Sequence, residues 1–102
     1  MDDLKNIKLS TDQVSALMFV CSQVFQLEPS FAFTQLSKEN TRNKFLCKVR
    51  LLDCDMVASL GQNKPDSKRN AARCALFKVA PNLYHELFEG IEPPADELKN
   101  NI

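Results

Sequence analysis

The chain has 102 residues, 44% of them hydrophobic and 25% charged, and its 13 basic residues balance its 13 acidic ones. These are the proportions of one ordinary globular domain with a single core, and they exclude a chain that coats nucleic acid by net charge alone. No apolar run approaches the ~20 residues of a membrane-crossing helix, and MDDLKNIKLS lacks the basic-then-apolar order of a secretory signal, so cytosol or nucleus is the expected location.

The four cysteines, Cys21, Cys47, Cys54 and Cys74, are far apart, and the chain has one histidine, His85. Zinc sites use closely spaced ligand pairs, so no metal and no cofactor are expected. Three of the cysteines have apolar neighbours and read as buried thiols. Cys54, between Asp53 and Asp55, is the exception and is expected to be exposed.

Residues 1–9 are polar and are expected to form a flexible N-terminus, ahead of a domain over 10–89. From Ser10 a helix is signalled. Ser10 and Gln13 have the spacing of a capping box, and Val14, Leu17, Met18, Cys21, Val24 and Phe25 recur on one face. Pro29 is expected to end it. Phe31 to Leu36 alternates, with Phe31 and Phe33 on one side and Ala32, Thr34 and Leu36 on the other, which is the period of a strand. The polar segment SKENTRN (37–43) leads to a second strand, Lys44 to Leu52, with Phe45, Cys47, Val49 and Leu51 on one face. A turn over Asp53 to Asp55 leads to a third, Met56 to Leu60, so the three strands predict an antiparallel meander. Leu17, Phe45, Val49 and Ala75 are expected to meet in the core.

The stretch QNKPDSKRNAARCALFKV (62–79) predicts a second helix capped by Ser67, with Asp66 just outside. Lys68 and Arg69 then fall where cations oppose the helix dipole. Either an anion such as phosphate sits there among the free N–H groups, or the helix start is simply solvated. Five basic residues fall between Lys64 and Lys78, whereas Glu86 to Glu97 is acidic. Pro81 breaks the helix. Leu83, Tyr84, Leu87 and Phe88 then predict a short extra C-terminal helix stopped by Gly90, and residues 90–102 are expected to be a flexible acidic tail.

The third strand carries no charge, proline or bulge signal, so as the edge of a meander it is expected to pair with another chain. The sheet face away from the helices is expected to carry Leu46, Leu52 and Val57, with Ala32 and Leu36, an apolar patch of the kind that marks a partner surface. A protein interface formed by Leu46, Leu52, Met56, Val57, Ala58 and Leu60, producing a homodimer, follows from these two features. The alternative is that the segment after Pro81 covers the patch within one chain. An enzyme is not expected. His85 stands among Leu83, Tyr84 and Leu87, and no carboxylate pair, nucleophile with a base, or phosphate-cradling glycine loop is visible.

The order helix, three antiparallel strands, helix, with SKRNAARCAL (67–76) opening the second helix, resembles the double-stranded RNA-binding domain over roughly Thr11 to Val79. The resemblance implies an α+β fold of α-β-β-β-α order with both helices on one face of a three-stranded antiparallel sheet. In that family the first helix, the loop between the first two strands and the basic start of the second helix contact duplex RNA. Lys68 and Arg69 match two of the phosphate-contacting cations, and Arg73 falls one place beyond the third. Lys64, with Lys38 and Arg42 of the loop, supplies further cations. The loop lacks the family's Gly-Pro-x-His, which makes the chain more similar to the last copies of the domain in Dicer-partner and other RNA-silencing proteins. The resemblance therefore implies association with itself, a related domain or a Dicer-type protein, with direct duplex RNA binding as the alternative.

Overall fold

The computed structural model describes residues 12–36 and 44–100. In chain order the elements are α1 (Gln13–Phe25), β1 (Ser30–Gln35), β2 (Phe45–Leu51), β3 (Cys54–Gly61), α2 (Lys64–Val79), α3 (Pro81–Leu87) and α4 (Glu97–Asn100). The fold is α+β, with one antiparallel sheet in the order β1-β2-β3. No described helix is long and apolar enough to cross a membrane. The N-terminal segment 1–9 and the loop cations Lys38 and Arg42 lie outside the described residues.

Helix α1 starts on Asp12, whose carboxylate accepts from the Val14 N–H at 3.2 Å and the Ser15 hydroxyl at 2.7 Å. Ser10 lies outside the described residues, and the capping role falls to Asp12. The helix ends at Phe25 because Gln26 adopts a left-handed conformation, φ 57°, with its N–H bonded back to Ser22 O at 3.1 Å. Termination thus precedes Pro29 and uses a left-handed cap. The buried stripe is Ala16, Leu17, Val20 and Cys21, rotated from the expected one. Val24 and Phe25 are 60% and 40% exposed. The cause is the partner surface: α1 packs on α2, whose buried side chains include the small Ala71, Ala72 and Ala75, and the stripe that meets them runs through Ala16, Leu17, Val20 and Cys21.

The β1–β2 ladder follows the alternation of the sequence. Phe31 stands opposite Val49 and Phe33 opposite Cys47, on the side of the sheet that faces α2. Leu17, Val49 and Ala75 are fully buried together, whereas Phe45, at the end of β2 opposite Gly61, is only half-buried. β2 and β3 join through a two-residue turn at Leu52–Asp53. Leu52 there has φ 58°, the left-handed region a tight hairpin requires at its first position. A register shift at Val49/Arg50 leaves Met56 as an extra residue, with Arg50 opposite Asp55 and Val49 opposite Val57. Val57 therefore lies on the helix side, 1% exposed, and not on the outer face.

Helix α2 begins at Lys64, three residues before the expected start. Asn63 is the cap, accepting from the Asp66 N–H at 2.8 Å, and Pro65 fits the first turn, where no intrahelical N–H is needed. Ser67 is buried inside the helix and its hydroxyl donates to Lys64 O at 2.9 Å. The helix follows the strand after only two residues because Gly61 lets the two backbones touch. A Cβ at 61 would stand 2.8 Å from the Asp66 carbonyl carbon and closer still to the Ser67 backbone.

Pro81 breaks the helix as expected, and α3 folds back on α2. Tyr84 is fully buried, its ring edge-on to Phe77 at 5.5 Å, and its hydroxyl donates to Ile91 O at 3.0 Å. The segment Leu83 to Phe88 thus covers the helical layer and leaves the sheet's outer face alone. Replacing Gly61 by Ala is expected to cost about 2–3 kcal/mol, because the intruding Cβ meets backbone that cannot yield. Urea denaturation followed by circular dichroism measures the loss.

Candidate functional site

Three surfaces carry the residues expected to function: the start of α2, the outer sheet face and the β3 edge. At the start of α2, Lys64 and Lys68 are one helical step of four apart and point the same way. The Lys64 ammonium lies 5.8 Å from the Phe33 ring centre and the Lys68 ammonium 4.8 Å from that of Phe31, so each cation sits over an aromatic face of β1. Arg69 leaves this row and pairs with Asp66 one turn back. Arg73 is nine residues from Lys64, half a revolution around the helix, near Tyr84. The four cations therefore divide into a pair over β1, one internally paired residue and one on the opposite side.

The outer face is built by the even-numbered residues of β1 and β2. Thr34, Leu46 and Leu60 form one cross-strand row, and Ala32, Lys48 and Ala58 the next. Leu36, whose N–H bonds Lys44 O at 2.8 Å, extends the apolar end. The other end is charged, with Asp55 held by Arg50 at 2.8 Å and by Lys48 at 3.7 Å. Leu52 stands apart at the hairpin tip, 72% exposed. The expected patch is therefore reduced to Leu36, Leu46 and Leu60 with their small neighbours.

The β3 edge is where the structure departs furthest from the sequence reading. Each of its outward-facing residues Met56, Ala58 and Leu60 has one backbone group met by a polar side chain. Met56 O accepts from the Lys78 ammonium at 3.0 Å, the Ala58 N–H donates to Asp96 Oδ1 at 3.2 Å, and Leu60 O accepts from Asn70 Nδ2 at 2.9 Å. The Ser59 hydroxyl adds a bond to Ala95 O at 3.2 Å. Asp96 also accepts from the Leu98 N–H at 3.1 Å, which caps α4. The segment expected to be a loose tail is thus docked along β3, and Ala58 is buried in the monomer. Asn70, Lys78 and Asp96 were not singled out in the sequence; the eight-residue spacing of Asn70 and Lys78 on one helix face was the available signal.

Beneath this strap lies a hollow of about 330 Å³ lined by Val57, Cys74, Phe77, Lys78, Pro93 and Asp96. Its walls are mainly apolar, and the Lys78 and Asp96 side chains at its rim are already bonded to the β3 backbone. His85 is exposed, edge-on to Phe77 and Tyr84. No three of the described His, Cys, Asp and Glu residues are placed to hold a metal ion. The four cysteines are thiols, buried except for Cys54. Burial pushes the Cys47 thiol up to about 11, the Lys68 cation opposing the shift, and burial likewise raises Cys21. For Tyr84, burial again raises the hydroxyl, against a lowering by Arg73.

Comparison with protein-family models and with curated proteins finds no match.

Three outcomes follow from this geometry. Asp96→Ala should lower stability by about 1–2 kcal/mol, since it removes a cap and a strand-edge bond together, and the Ala58 amide should lose its protection in hydrogen exchange. A thiol reagent at pH 8 should modify Cys54 alone in the native protein and all four cysteines after denaturation. Folded Cys47 holds its proton more tightly than an ordinary thiol of 9.0, so its contribution to stability is intact below pH 9. That contribution is lost as pH rises toward about 11, and denaturant titrations at pH 8 and 10 measure the fall.

Proposed function

We propose that the chain is a non-catalytic module of the double-stranded RNA-binding-domain type whose work is to hold another protein, a second copy of itself or a Dicer-type partner, in an RNA-silencing protein. The observation that carries this reading is the outer sheet face. Leu46 stands opposite Leu60 with Thr34 and Leu36 beside them on the face away from α1 and α2, and with α4 packed against β3 the three leucines are still only half-buried. A solvated face of an antiparallel sheet alternates to polar residues, and on this one the charged residues are confined to the Lys48, Arg50 and Asp55 end. The partner surface is then the outer face itself, because the β3 edge is engaged by Lys78, Asn70 and Asp96. The helix–three-strand–helix order and the Ser-Lys-Arg start of α2 support the domain type.

Duplex RNA binding is the second reading, and a specific observation favours it. Lys64 and Lys68 share one side of α2 and face aromatic rings rather than carboxylates. Such a pair fits phosphates, and its binding would weaken steeply with salt as counterions are released. Arg69, paired with Asp66, and Arg73, half a turn away, do not extend the row.

Light scattering after size exclusion, with and without a duplex of about 20 base pairs, separates the two readings, because such domains span about 16. The wild type is expected to self-associate at high micromolar concentration, and Leu46→Lys with Leu60→Lys to give a folded monomer. A wild type that stays monomeric and binds the duplex with a steep salt dependence overturns the protein-association reading.

A further inference from the structure

The two edges of the sheet are treated differently. On β3 each of Met56, Ala58 and Leu60 has a side-chain partner for one of its two outward backbone groups. On β1, the Leu36 N–H bonds β2, so by alternation the even residues face β2 while Phe31, Phe33 and Gln35 turn their N–H and C=O groups outward. No described residue meets those groups. The strand SFAFTQ also has no proline or charge to blunt it, the usual protections of a free edge.

Along this edge stand Lys64 and Lys68. They lie over Phe33 and Phe31 respectively, so α2 runs antiparallel to β1 and the cations mark two successive positions on one side of the strand. The spacings agree: four helical residues advance about 6 Å and two strand residues about 6.8 Å. A strand added beside β1 would lie about 4.8 Å further out, with every second side chain on the helix side. Two such side chains, at i and i+2, would then face the two ammonium groups over the Phe31 and Phe33 rings.

We infer that the β1 edge is a strand-addition site for an extended acidic peptide segment with carboxylates at alternate positions, held by the outward backbone of Phe31, Phe33 and Gln35 and by Lys64 and Lys68. Backbone pairing supplies the affinity and the two lysines set register and composition. The inference rests on the protein-association reading and adds to it the chemistry of the partner. It also accounts for α2 beginning with cations that are unfavourable to its dipole, since the carboxylates of a bound strand offset them.

The test uses the full chain and a labelled synthetic peptide of about nine residues, a length that covers a six-residue strand with margins, alternating Glu with Val or Thr. Fluorescence anisotropy should show saturable binding, weakened roughly tenfold or more by Lys64→Glu with Lys68→Glu. N-methylation of alternate peptide amides should abolish binding in one frame and spare it in the other, a readout that leaves the protein unaltered. In heteronuclear spectra the amides of Phe31, Phe33 and Gln35 should shift on titration. Gln35→Pro should reduce binding without loss of fold, because it removes an outward donor and no ladder bond.

Binding indifferent to methylation in both frames, no binding at all, or shifts confined to Leu46 and Leu60 would overturn the site. So would amides at 31, 33 and 35 already protected from exchange in the free protein, which would mean that another part of the chain or a second copy holds the edge. If the peptide fails while the Leu46 and Leu60 variants still dissolve an assembly, only the β1 inference falls. If duplex RNA instead shifts the β1 amides in a salt-dependent way and the protein is monomeric, the protein-association reading falls with it.

Discussion

The seating of α2 against the end of β3 is the constraint on which the remaining architecture depends. Gly61 has no side chain, so the helix starts after only two intervening residues with Ser67 packed on the strand backbone. Once the helix is fixed at that distance and direction, its residues have no freedom in what they reach. Asn70 and Lys78 arrive over the carbonyls of Leu60 and Met56. Lys64 and Lys68 arrive over the rings of β1. The alanines between them form a shallow floor on which α1 closes.

This arrangement uses one helix for two opposite purposes. On its β3 side, polar side chains with hydrogen-bonding ends satisfy an exposed backbone edge, removing a template for uncontrolled pairing. On its β1 side, cations rest on aromatic faces and leave the neighbouring backbone edge open. The asymmetry is built from residue chemistry: an amide and an ammonium reach carbonyl oxygens directly, whereas the ammonium groups over Phe31 and Phe33 keep donors available for an anionic group.

The strap formed by residues 91–98 adds a second layer to the sealed edge. Tyr84 anchors its start through Ile91 O, and Asp96 anchors its end on the Ala58 N–H. Between the anchors, Pro93 and Pro94 hold the chain extended, because neither can continue a helix and each fixes its own φ. The acidic character of this segment thus serves a structural role at Asp96, which caps α4 and closes β3 with one carboxylate.

Periodicity and punctuation in the sequence determined the order of elements, the inner faces of β1 and β2, the break at Pro81 and the exposure of Cys54. These depend on neighbours within a few residues, and side-chain alternation and proline chemistry act at that range. The tertiary structure alone decided the rest. The stripe of α1 turned because small residues on α2 offered a closer approach than the α1 pattern could reveal. Val57 moved to the helix side because the bulge at Met56 is a matter of pairing between strands. The β3 edge closed because Lys78, Asn70 and Asp96, up to 38 residues from the groups they satisfy, meet them only after α2 and the strap have docked. A helix spacing shows that Asn70 and Lys78 share a face but not what that face meets, so an edge that reads as open in the sequence is partly engaged in the fold, while the edge left open, β1, has its lysine pair 31 and 37 residues away in α2.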